Sequence, residues 1–363
     1  MTRLPRWADL VLVPLVSLLL AALISALVIL AIGGNPLEAL KVMIEGTVLT
    51  GAGWGYVLYY ATSFMFTGLA VTVAFHAAQF NIGGEGQATL GGLGVALVCL
   101  ALPWPHWMLS LPAVIIGSAL FGAAWAAIPA YLAAKKGSHI VITTIMFNYI
   151  GAAFLTYMLV SVLKPAGSMD PATARFPEGT HLPSLYDMPL IGELFNKNTP
   201  ANIAFFLAIL CCVLVWALLW RTRLGYQIRA FGKSEPAAVY AGISPVKMIM
   251  FAMLISGALA GMAAINSVMG VSHRLVINAA EGAGFIGIAV ALMGRNHPFG
   301  VFLAALLFGF LYQGGAELGF WTSIPIELRT VVQALVILFT GALDNMVRML
   351  LGLVFRPSRK GAV

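Results

Sequence analysis

The residues able to carry chemistry in this sequence fall into a few groups, each implying a particular reaction. Gly232-Lys233-Ser234 has the ending of a phosphate-binding loop, where backbone N–H groups and a lysine cradle phosphates. The complete pattern needs a glycine five residues before Gly232, and that position is Gln227. It also needs a buried strand leading in, whereas a helix end carrying Arg221 and Arg223 precedes it, so nucleotide binding is rejected there. His76, His106, His139, His181, His273 and His297 never stand four residues apart, so no helix face offers a metal a histidine pair. Cys99, Cys211 and Cys212 lie inside apolar runs without CxxC spacing and read as small core or lipid-facing residues. No Gly-x-Ser-x-Gly elbow and no carboxylate pair suited to hydrolysis is present. The chain is expected to hold no catalytic residue, no metal and no cofactor, and to draw any energy from a gradient or another subunit.

Two acids stand apart because similar residues surround them. Phe80-Asn81-Ile82-Gly83-Gly84-Glu85-Gly86-Gln87 and Ile277-Asn278-Ala279-Ala280-Glu281-Gly282 align on their glutamates; in each, four residues separate the Glu-Gly pair from a further glycine, Gly91 or Gly287, and an apolar helix opens there. A charge at mid-bilayer costs roughly 2.5–3.5 kcal/mol, so an intramembrane acid usually has a task. At a helix start near the interface the dipole instead favours a carboxylate by about 0.3–1 kcal/mol. Capping and lining of a solute path are both open for Glu85 and Glu281. A glycine-interrupted span in matching positions of two halves points to a translocation path. Asn81, Glu85, Gln87, Asn278, Glu281 and Phe285 are the candidate residues of that path.

The elements that must position these residues follow from composition. Of 363 residues, 61% are hydrophobic and 9% charged, and the mean hydropathy is +0.95. A soluble domain carries about 25% charged residues, so a water-soluble enzyme is excluded, as are a disordered chain and a disulfide scaffold. Apolar runs fall at about 10–32, 56–79, 87–102, 111–134, 139–163, 201–220, 248–270, 282–294, 297–317 and 326–343, the eighth being short for a span. The expected fold is an all-α polytopic membrane protein of about ten transmembrane helices, one permease domain over 1–363. The first run exceeds the 7–15 apolar residues of a signal peptide and reads as an uncleaved helix. Residues 36–54 read as an external amphipathic segment.

Ten crossings from a cytoplasmic start leave both termini inside, and the basic residues test that. The inner side would carry Arg3, Arg6, Lys135, Lys136, Arg221, Arg223, Arg229, Lys233, Lys247, Arg295, Arg348, Arg356, Arg359 and Lys360, 14 in all; the outer side would carry Lys41, Lys164, Arg175, Lys197, Arg274 and Arg329, six. That asymmetry is what the positive-inside rule requires, so the net charge of +7 speaks of topology and not of nucleic acid. The two echoing stretches would then run in opposite senses, as in an inverted repeat matching segments 2–5 to segments 7–10.

Two loops are long enough for a further role. The external loop 164–200 holds six prolines, which remove donors and fix φ, so a stiff irregular cap is expected. In the cytoplasmic loop 221–247, Ser234-Glu235-Pro236 is a helix start, Ala237, Ala238, Val239, Tyr240 and Ala241 continue it, Gly242 closes it, and Pro245 prevents resumption. So short a helix is marginal alone, and its small side chains suit close contact with a soluble partner.

These residues carry a resemblance. The block Phe80 to Gln87 is similar to a signature of permease subunits of ABC importers, in the ribose, branched-chain amino-acid and nucleoside branch, and closest to its nucleoside and simple-sugar subgroup. Gly287-Ile288-Ala289-Val290-Ala291-Leu292-Met293-Gly294-Arg295-Asn296, Gly232 to Ile243, and Ser256-Gly257-Ala258-Leu259-Ala260-Gly261 resemble later blocks, and the likeness covers most of 56–343. Gly84 departs from the family, where a branched aliphatic is common. The resemblance implies a bacterial inner-membrane importer subunit for a nucleoside or related sugar-containing solute. The helix of Ser234, Glu235, Ala237, Ala238, Tyr240, Ala241 and Gly242 would be the coupling helix, seated on a separate ABC ATPase subunit that carries ATP and Mg. A second permease subunit, identical or not, would complete the pathway, and an extracytoplasmic solute-binding protein or lipoprotein would meet the outer face. The alternatives are an ion-gradient-driven secondary transporter, and an ABC permease for a simple sugar or branched-chain amino acid.

Overall fold

The computed structural model describes Pro5, residues 12–322, Pro325, residues 327–339, and Met346, Val347 and Met349. Arg3, Arg6, Arg348, Arg356, Arg359 and Lys360 of the charge asymmetry lie outside the described residues, as do 10–11 of the first apolar run and 326 and 340–343 of the tenth. In chain order the helices are α1 (Val13–Ala31), α2 (Pro36–Thr47), α3 (Gly51–His76), α4 (Gly84–Ala101), α5 (Trp107–Lys136), α6 (Ile140–Tyr157), α7 (Ala204–Arg221), α8 (Arg223–Lys233), α9 (Glu235–Tyr240), α10 (Pro245–Ala264), α11 (Ala283–Met293), α12 (Pro298–Trp321) and α13 (Leu328–Ile337). π-helical turns prolong α6 to Val162 and α10 to Ser272.

The chain is an all-α polytopic membrane protein. Among the described residues eight helices are long and apolar enough to cross a bilayer: α1, α3, α4, α5, α6, α7, α10 and α12. Among the described residues the other two apolar runs contribute the shorter helices α11 and α13. At 1.5 Å per residue α11 covers about 16 Å, half of a hydrocarbon core. The run at 326–343 is represented by the ten residues of α13.

The chain divides into two compact units, one from 1–49 with 311–363 and one from 50–310. In the first, Ile29, Ala39, Leu318 and Leu328 form one apolar cluster. Asn35 starts α2 by accepting the Leu37 N–H at 3.0 Å, with Pro36 in the first turn. Glu317 of α12 was not singled out from the sequence; its carboxylate accepts from Gln313 Nε2 at 2.8 Å and Trp321 Nε1 at 2.9 Å.

In the second unit α3, α4 and α10 are the inner helices. Of the apolar window of α3, 83% is buried, against 22% for α6, so α3 is a core helix and α6 turns most of its surface outward. Glycines let the inner backbones touch. Gly257 and Gly261, four apart on α10, share one face; a Cβ on Gly261 would fall 2.4 Å from the Ser118 carbonyl of α5, and one on Gly91 of α4 would fall 2.3 Å from the Gly261 carbonyl. Such contact replaces the hydrophobic drive that lipid cannot supply between helices.

Residues 164–200 form three isolated 3-10 turns, Glu178–Thr180, Leu185–Asp187 and Gly192–Leu194, over a buried set of Phe176, Leu182, Leu185 and Phe195. In 221–247 the structure differs from the sequence reading. Two helices stand where one was expected, because Gly225, Ile228 and Phe231, three apart, give α8 a buried face of its own. Ser234 precedes α9 but its hydroxyl makes no capping bond; its carbonyl accepts the Ala238 N–H at 3.0 Å. Pro245 does more than end a helix, since it occupies the first turn of α10.

Candidate functional site

The two echoing stretches meet. Glu85, in the first turn of α4, reaches the start of α11, where its carboxylate accepts the N–H of Gly282 and of Gly284, each at 2.9 Å. These donors belong to the orphan N–H groups of a helix start, and hydrogen bonds to a charged group contribute about 1.5–3 kcal/mol each. The approach requires glycine on the α11 side: a Cβ on Gly284 would lie 2.1 Å from the Glu85 nitrogen, whereas one on Gly84 would rest in ordinary van der Waals contact, 3.4 Å from the Gly284 Cα. The segment leading into α11 is strained. Asn278 (φ 60°), Glu281 (φ 51°) and Gly282 (φ 78°) all adopt the left-handed region, uncommon for a glutamate.

Asn81 and Gln87 sit behind this junction, both buried. Asn81 Nδ2 donates to Gln87 Oε1 at 2.9 Å and to Ser256 Oγ at 2.8 Å, while its Oδ1 accepts the Gly83 N–H at 2.9 Å. Ser256 Oγ in turn donates to the Ala70 carbonyl at 2.7 Å, so one chain of bonds ties the start of α4 to α10 and α3. On the opposite flank Asn148 of α6 accepts the Gly86 N–H at 2.8 Å and donates to the Ile82 carbonyl at 2.9 Å. Asn278, Glu281 and Phe285 are exposed instead. The structure thus brings Glu85 onto the stretch that carries Asn278, Glu281 and Phe285, and sets Asn81 and Gln87 as an inner brace. Asn148 was missed, having neither charge nor motif to mark it, and Ser256 was noted only as the first residue of a family-like block; their part depends on two distant segments converging.

The second locus is α8 and α9. Thr222 Oγ1 accepts the Gly225 N–H at 3.0 Å and so starts α8 one residue after α7 ends. Arg229 Nε donates to the Leu219 carbonyl at 2.9 Å, folding α8 back on α7. Trp220 is the hub: His76 packs edge-on at 5.3 Å, His297 lies tilted at 5.0 Å, and the Arg229 guanidinium stands over the ring at 5.8 Å. The ends of α3, α7 and α8 and the residue before α12 are joined through that ring. Ala238 is buried and seats α9, while Ser234, Glu235, Ala237, Val239, Tyr240, Ala241 and Gly242 face outward. Tyr240 is 96% exposed, an aromatic ring left uncovered among the described residues. Trp220, His76, His297 and Arg229 were also missed, because stacking of residues so far apart leaves no spacing to read.

Known proteins show what this chain is similar to. The family model described as branched-chain amino acid transport system / permease component matches residues 53–341. A glucose ABC transporter permease protein of Haloferax volcanii, TsgB13, is 31% identical over 342 residues, 94% of this chain and 90% of that protein. The guanosine ABC transporter permease protein NupP of Bacillus subtilis is 33% identical over 352 residues, 97% of each. The nucleoside ABC transporter permease protein NupB of Lactococcus lactis is 34% identical over 333 residues, 91% of this chain and 90% of that protein. The ion-gradient transporter weighed from the sequence finds no support among these relatives.

Proposed function

The chain belongs to the branched-chain amino acid transport system / permease component family, and from that premise we propose that it forms the solute pathway of an ATP-driven importer for a nucleoside or a related sugar-containing solute. The observation that carries the reading is α9: a short helix anchored by Ala238, with Tyr240 and Val239 presented outward and α8 linking it to the ends of α3 and α7. Such a part can pass a push from a soluble engine to the inner helices. ATP and Mg belong to that separate ATPase subunit. A second permease subunit faces this one across the pathway, and a solute-binding protein or lipoprotein docks at 164–200. In this reading the protein lies in the cytoplasmic membrane with both termini and α8–α9 inside.

The relatives named for glucose, guanosine and nucleosides share a hydroxyl-rich sugar as solute or as part of it. Asn278 and Glu281 offer an amide and a carboxylate for hydroxyls, and Phe285, 49% exposed, offers a ring face for a base. Asn81 and Gln87 hold the start of α4 against α10, so movement of α10 reaches Glu85 and, through it, the start of α11. The test is uptake by inside-facing assemblies of permease, ATPase and binding protein in vesicles, with labelled guanosine and labelled glucose. ATP-dependent guanosine uptake is expected. Uptake driven by an ion gradient without ATP would overturn the mechanism, and ATP-dependent uptake of glucose alone would move the solute to simple sugars.

A further inference from the structure

A cavity of about 710 Å³ opens where α7, α8 and α9 meet. Its lining includes Trp220, Arg221, Arg223, Tyr226, Arg229 and Ala238, and among the described residues it holds three arginines and no carboxylate. None of the three arginines forms an ion pair among the described residues. Two are pre-ordered: Arg221 lies over the Trp216 ring at 5.1 Å, and Arg229 is fixed by Leu219 and Trp220. Arg229 spends Nε on the Leu219 carbonyl, which leaves its Nη groups for a ligand. Thr222 and Arg223, at the start of α8, also line the cavity, so the positive end of that helix adds to the field. Arg221 ends a membrane-spanning helix, which places the cavity at the level of lipid headgroups.

We propose that this cavity is a binding site for a phosphate group, held by Arg221, Arg223 and Arg229 and supplied by the headgroup of an anionic phospholipid. Arginine suits the task, because its planar fork meets phosphate oxygens in pairs and is weakly hydrated. A phosphodiester seated there, with its one negative charge, offsets part of the repulsion among the three like charges gathered beside α9. The acyl chains run along the outward face of α7, where Leu210, Val213 and Leu214 are exposed. A bound lipid then braces α8 against α9 from the membrane side.

The experiment is native mass spectrometry of the full-length protein taken from nanodiscs of phosphatidylcholine alone or with phosphatidylglycerol. The wild type is expected to keep phosphatidylglycerol. Retention should fall about a hundredfold in Arg221→Gln/Arg223→Gln, at about tenfold for each charge-assisted hydrogen bond to the phosphate that is lost. Lys135→Gln/Lys136→Gln, which removes two basic residues at the end of α5 away from the cavity, should keep it. Equal loss in both double variants would mean diffuse attraction and would overturn the site. Inorganic phosphate added to the phosphatidylcholine sample distinguishes the sources: one phosphate retained by the wild type, without preference for phosphatidylglycerol, would overturn the lipid and leave a soluble phosphate ligand. Lipid retention is read directly, so loss of the coupling reading would leave this result unchanged.

Discussion

The carboxylate of Glu85 caps a helix that is not its own. It stands in the first turn of α4 and accepts the N–H groups of Gly282 and Gly284, 197 and 199 residues further along, at the start of α11. A side chain in that position couples two helix starts. Separation of α4 from α11 would strip the carboxylate of two partners and leave two N–H groups of a half-length helix unpaired. The left-handed Gly282 is held by the same contact, directly after the left-handed Glu281.

Glu85→Gln tests this coupling. The amide has one accepting oxygen instead of two, so one glycine N–H faces an NH₂ group and loses its partner, at a cost of about 1–3 kcal/mol. Initial uptake at equal abundance in the membrane is expected to fall about tenfold, a change that corresponds to about 1.4 kcal/mol. Glu281→Gln changes an exposed carboxylate and should leave the amount of folded protein unaltered, within about 0.5 kcal/mol of stability. Wild-type uptake by Glu85→Gln would remove the cap from the mechanism.

Most of the fold was legible because lipid imposes a coarse code. A run such as 201–220 has little option but a helix, and α7 occupies 204–221. The segment proposed for coupling was half legible. Glu235, Pro236 and Gly242 marked α9, but α8 stayed hidden because its buried face is only Gly225, Ile228 and Phe231, amid four basic residues between 221 and 233. At the pathway the type of residue was legible and the partner was not. The glutamates stood out as intramembrane acids, yet the tie between Glu85 and Gly284 depends on a Cβ-free approach of two segments, and no periodicity reports that. Asn81 and Gln87 look like lining residues by sequence, and the bonds that turn them toward Ser256 exist only once α10 is packed.

Tyr240 and Ala238 separate docking from folding. Tyr240 is almost fully exposed, so Tyr240→Ala should leave the thermal midpoint of the purified permease unchanged within about 0.5 kcal/mol of stability. Removal of a central aromatic anchor commonly costs an interface about 2 kcal/mol or more, so affinity for the ATPase subunit should fall about thirtyfold in a pull-down titration. Ala238→Leu, in a buried position, should lower the thermal midpoint as well as uptake. Undiminished ATPase binding by Tyr240→Ala would place the docking surface elsewhere.

Gly261 measures how tightly the inner helices are set. In Gly261→Ala the new methyl would stand 2.4 Å from the Ser118 carbonyl and 3.1 Å from the Gly122 Cα, both of α5. Backbone cannot yield as a long side chain can, so a loss of about 1–3 kcal/mol is expected. Thermal unfolding in detergent, followed by tryptophan fluorescence, should show a clear drop for Gly261→Ala. Gly137→Ala is the comparison: it has free space around it but φ of +70°, so it reports left-handed strain without a clash. An equal drop in both would mean that close packing of α10 on α5 is not what Gly261 supplies.

His273, stacked on the ring of His181, makes stability depend on pH. The rings lie 3.8 Å apart at 18°, His181 within 164–200 and His273 just past the end of α10's π-helical extension. His273 is held below its ordinary value of 6.5, first by burial and then by repulsion from His181, with Arg175 adding to it and the bond to the Met269 carbonyl opposing it. The folded protein therefore binds fewer protons than the unfolded chain once the pH drops below about 6.5, so the neutral ring's contribution is complete above that pH and is lost below it. His273→Asn keeps a residue that tolerates the left-handed φ of 48° and removes the titrating ring. Between pH 7.5 and pH 5.5 the thermal midpoint of the wild type should fall by more than that of His273→Asn, a window set by the ordinary histidine value of about 6.5. Parallel curves for the two proteins would show that His273 does not link protonation to folding.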